Sequence, residues 1–78
     1  MTSSRLTTLA NAKAMVRTLT SAPDPHARAR AIFADLARTD GWSKPDEARI
    51  VAFGDWLATR PPPGALKDRC KALLKTLD

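Results

Sequence analysis

Ser43-Lys44-Pro45-Asp46-Glu47-Ala48-Arg49-Ile50-Val51-Ala52-Phe53-Gly54-Asp55-Trp56-Leu57 is the stretch on which the fold turns. Ser43 is an N-cap residue, Pro45 fits a first helical turn, and Asp46 stands three positions on, where a capping box would carry Glu. At about 100° per residue, Ile50, Phe53 and Leu57 share one face of the helix that follows. Trp56 and Val51 extend the apolar sector past either edge, so more than one neighbour must pack here. Gly54 beside that face costs about 1 kcal/mol relative to alanine in a helix interior. Its presence predicts a second helix at close range.

Reading outward, Arg60-Pro61-Pro62-Pro63-Gly64 ends this helix and makes a short stiff spacer. Beyond it, Leu66, Cys70, Leu73, Leu74 and Leu77 occupy a narrow arc, which predicts a last helix over 65–77. Lys67, Lys71 and Lys75 form a stripe along its flank.

Toward the N-terminus, Asp40-Gly41 closes a preceding helix, glycine being suited to the left-handed conformation after a helix end. That helix, over 25–39, starts from Asp24 as N-cap with Pro25 at the first position. Ala29, Ile32, Phe33, Leu36 and Ala37 are expected to face inward. The first helix, over 5–20, places Leu6, Leu9, Ala12, Met15, Val16 and Leu19 on one side. Its threonines lower helix propensity, so packing must support it. Residues 1–4 read as a frayed start and 5–78 as one helical domain. Four periodic segments with short connections predict an all-α fold, a small four-helix bundle with helices at about 5–20, 25–39, 44–59 and 65–77. Strand alternation and hairpin turns are missing.

The 78 residues carry a net charge of +5. A chain of this size buries only about 60% of its unfolded surface, so each large side chain matters. Charge is unevenly placed: Arg5, Lys13 and Arg17 precede the first acid, the middle balances, and the last helix is basic again. Such a balance favours an anionic partner. With 14 alanines, and eight arginines against five lysines, the composition hints at a GC-rich bacterial or phage genome. One cysteine, no apolar leader and no span-length apolar run together predict a soluble, cytoplasmic protein without disulfides and without a membrane role.

Catalysis is hard to build from these residues. His26, the single histidine, is expected to face solvent in a first helical turn with no nucleophile in reach. Cys70 falls on an apolar arc, where a thiol acts as a small hydrophobe. Asp46 serves the helix start, and Asp55 lies well round the helix from Glu47. No phosphate-binding glycine loop and no Cys/His metal spacing exist, so neither cofactor nor metal is expected. The expectation is a non-enzyme.

Binding remains. Tryptophan and arginine dominate many interfaces, which nominates Trp42, Val51 and Trp56 as protein-binding anchors with Arg49 and Arg60 at the rim. In so thin a core the same tryptophans could instead simply close the interior. The leading expectation is a small basic regulator, adaptor or inhibitor that docks on a larger protein with an acidic surface and modulates it by occupancy. The alternative is a nucleic-acid-binding protein using Lys13, Arg17, Lys67, Lys71 and Lys75 along a phosphate backbone. A helix-turn-helix is disfavoured because Asp46 and Glu47 would lead the recognition helix and repel phosphates. The alanines Ala27, Ala31 and Ala34 would admit a second copy of the chain, but they are also ordinary exposed helix formers.

Overall fold

The computed structural model describes residues 5–77, so the fraying expected for 1–4 lies outside the described residues. Four α-helices follow one another: α1 (Arg5–Arg17), α2 (Pro25–Arg38), α3 (Lys44–Leu57) and α4 (Pro63–Leu77). A 3-10 turn over Leu19–Ser21 tightens the path from α1 to α2. Among the described residues there is no strand, and no helix is long and apolar enough to cross a membrane. The fold is a small all-α bundle. In it α2 and α4 touch across the diagonal, whereas α1 and α3 are held apart by them.

The helix starts follow local chemistry. Asp24 Oδ1 accepts from the Ala27 N–H at 3.1 Å, and Ser43 Oγ accepts from the Asp46 N–H at 3.3 Å. Each satisfies a backbone donor that has no partner within its helix. The Asp46 carboxylate pairs with Arg49 at 2.7 Å. The proline run differs from expectation: Pro63 does not precede α4 but opens it. Proline has no N–H to lose at a first helical position, and the Leu66 N–H closes the turn onto the Pro62 carbonyl at 3.0 Å. The spacer is therefore Pro61 and Pro62.

The helix ends are closed by side chains, some local and some from distant parts of the chain. At the end of α1, Arg28 Nη1 donates to the Met15 carbonyl at 3.1 Å and to Thr18 Oγ1 at 2.9 Å. At the end of α2, the Thr39 hydroxyl donates to the Asp35 carbonyl at 2.8 Å, and the Trp42 indole N–H donates to the Leu36 carbonyl at 2.9 Å. At the end of α3, His26 Nε2 lies 2.9 Å from the Leu57 carbonyl, and the Thr59 hydroxyl donates to the Trp56 carbonyl at 2.6 Å. A carbonyl can only accept, so Nε2 is the donor. These side chains fill C-terminal carbonyls that an isolated helix would leave to water. α2 ends at Arg38 with an extended Thr39 as its cap, so Gly41, at φ 94°, serves the loop three residues on and does not close the helix as expected; Arg60 takes φ 56° after α3. The left-handed conformation costs a non-glycine residue about 1–2 kcal/mol.

Phe53, Leu19, Ile32, Leu36, Leu66 and Cys70 are completely enclosed at the centre. The inward faces match the periodic reading except at two edges. Leu6 is 74% exposed and Ala37 is exposed as well, while Thr8 is buried. Leu6 and Ala37 stand about 105° round from the middle of their buried arcs, too far to reach a core of this size. Thr8 is tolerated inside because its hydroxyl lies 2.7 Å from that of Thr39.

Candidate functional site

The α4 stripe consists of Lys67, Lys71 and Lys75, each four residues from the next and so about 6 Å apart along the helix. Lys13 and Arg17 stand at the same spacing on α1, which packs beside α4. All five cations line one groove between the two helices, together with Val16, Leu74 and Ala72. The groove holds about 640 Å³, and among the described residues its lining contains no carboxylate. Two other clefts are smaller, at about 300 Å³ between α1 and α2 and about 280 Å³ between α2 and α3.

Val16 and Leu74 are nearly enclosed and form the base; Ala72 and the methylene stems of the lysines make the walls. The salt bridges of Arg38 with Asp35 and of Arg49 with Asp46 both lie elsewhere. Arg17, Lys67, Lys71 and Lys75 form none among these residues. Like charges lining one groove raise the local positive potential, which an anion relieves. The groove can hold an anionic ligand with apolar parts.

The tryptophan set is more dispersed. Trp42 and Val51 share the groove between α2 and α3, with Val51 59% exposed. Arg49 lines a different shallow cleft with Arg69. Trp56 and Arg60 line neither. Both indoles are half-buried against the core. The Trp42 N–H is used on the end of α2, and the Trp56 ring lies 5.9 Å from that of Phe53 with the Arg69 guanidinium 5.1 Å above it. Arg69 was not singled out from the sequence, since nothing local says which aromatic it will cover.

His26 corrects its expectation. It is half-buried, not solvent-facing, because the end of α3 docks against the first turn of α2. Cys70 is enclosed, and burial pushes its thiol up to about 12, so it stays protonated at neutral pH. Among the described residues no three His, Cys, Asp or Glu side chains gather as a metal site.

Compared with known families, with curated proteins and with solved structures, the chain matches no family model, no curated protein and no solved structure.

Proposed function

We propose that the protein is a non-enzymatic docking module whose α1/α4 groove receives an acidic segment of a larger protein and changes that partner's activity by occupancy. The observation that carries this reading is the collection of Arg17, Lys67, Lys71 and Lys75, with Lys13, around one groove whose described lining holds no carboxylate. Charge of this kind steers encounter and selects an acidic surface. The groove replaces the tryptophan patch as the leading site because Trp42 and Trp56 already serve the fold.

A phosphate backbone is the second reading, favoured by the number of cations. Against it, the lining carries no aromatic ring on which bases could stack, and its base and walls are largely hydrocarbon. Capture from the native host's lysate, with and without nuclease, separates the two. A protein retained in both halves by the wild type but lost from Lys71→Glu/Lys75→Glu supports protein docking. Recovery that needs intact nucleic acid assigns the groove to phosphates.

A further inference from the structure

We infer that the occupant of the α1/α4 groove is an acidic amphipathic helix, laid with its apolar stripe toward Val16, Ala72 and Leu74 and its carboxylates among the lysines and Arg17. This rests on the docking reading above and names the chemistry of the partner.

Three features favour a helix over other anionic chains. The lysine row from Lys67 to Lys75 covers eight steps along α4, about 12 Å, which is about two turns of a ligand helix. Carboxylates four residues apart on such a helix repeat at the same interval as the lysines. Cations reach the groove from both of its walls, Arg17 from α1 and the lysines from α4, so acids flanking both sides of one apolar stripe would meet partners. The hydrocarbon open to a ligand is that of Ala72 and the lysine stems over the nearly enclosed Val16 and Leu74, and about 640 Å³ admits leucine-like side chains against it. A second copy of this chain is a poor occupant, because two molecules of charge +5 repel.

The test uses the full chain and a labelled peptide of about 14 residues, with leucines at helical spacing and glutamates on both flanks. A scrambled peptide of the same composition, with no amphipathic stripe, and a single-stranded oligonucleotide are the controls. The amphipathic peptide should bind at least about tenfold more tightly than the scrambled one and gain helical circular dichroism on binding. Lys71→Glu/Lys75→Glu should weaken it by about tenfold or more. Ala72→Glu, an exposed change that keeps helix propensity, should weaken it as well.

Equal binding of both peptides would overturn the amphipathic helix while leaving acidic docking intact. Binding of the oligonucleotide alone, or of no probe, would overturn both. Tight binding that survives the charge reversals would place the peptide elsewhere and refute the groove as its site.

Discussion

Phe33 of α2 lies directly over Gly54 of α3: a Cβ built on Gly54 would stand 2.5 Å from Phe33 Cζ and 2.6 Å from Cε1. The glycine is therefore a notch for an aromatic ring, and the contact joins the two helices with the central position in the chain.

Gly54→Ala sets two effects against each other. Alanine should return up to about 1 kcal/mol of helix propensity, but overpacking against a half-buried ring costs about 1–3 kcal/mol. The net expectation is destabilisation, read as a lower denaturant midpoint. In a Phe33→Leu background the clash is relieved and the same substitution should become neutral or stabilising. A penalty of equal size in both backgrounds would show that the ring is not what excludes the methyl group.

Thr8 and Thr39 make a directional pair. The single hydroxyl hydrogen of Thr39 is donated to the Asp35 carbonyl, so Thr8 must be the donor in the 2.7 Å contact between the two hydroxyls. Thr39→Val leaves the buried Thr8 hydroxyl without its partner and should cost about 1–3 kcal/mol, whereas Thr8→Val leaves Thr39 its bond to the Asp35 carbonyl and should cost less. The double valine variant should lose less than the sum of the two. Strict additivity in urea titrations would mean that the hydroxyls do not interact.

Trp56→Ala removes the ring between Phe53 and Arg69. A half-buried indole should cost about 2 kcal/mol, below the range for a fully enclosed one. The variant should remain helical, melt earlier, and bind the acidic amphipathic peptide as the wild type does. Loss of peptide binding with stability unchanged would return the docking site to the tryptophan.

Cys70 links stability to alkaline pH. Its thiol is raised from 9.0 to about 12 by burial, whereas the unfolded chain should titrate near 9.0. Below the unfolded value neither state ionises, and the full stability is present. Between the two values only the unfolded chain releases the proton, so stability falls as pH rises, by up to about 1.4 kcal/mol per pH unit. Denaturant midpoints at rising alkaline pH should therefore drop faster for the wild type than for Cys70→Ala. Parallel curves would show that the thiol is not held neutral by the fold.

Much of the bundle was legible in the chain because its causes are local. Asp24 and Ser43 cap their helices from within three residues, and the leucine arc of α4 buries as its spacing predicts. Gly54 was legible too, since a glycine inside an otherwise good helix needs a neighbour to explain it. The edges were less secure: Leu6 and Ala37 are apolar at helical spacing, but only the angle at which α1 and α2 dock decides how wide a buried arc becomes.

What the sequence by itself determined is therefore the set of helices, their starts and most of their inward faces, through periodicity and capping that act within a few residues. Only the tertiary structure decided how the ends of α1 and α3 receive side chains from distant parts of the chain. Arg28 reaches a carbonyl 13 residues away, and His26 one 31 residues away, and no local rule selects such partners. The basic groove belongs to the same class. Two short cationic rows stand far apart in sequence, and they become one surface because the apolar faces of α1 and α4 meet and carry their charged flanks together.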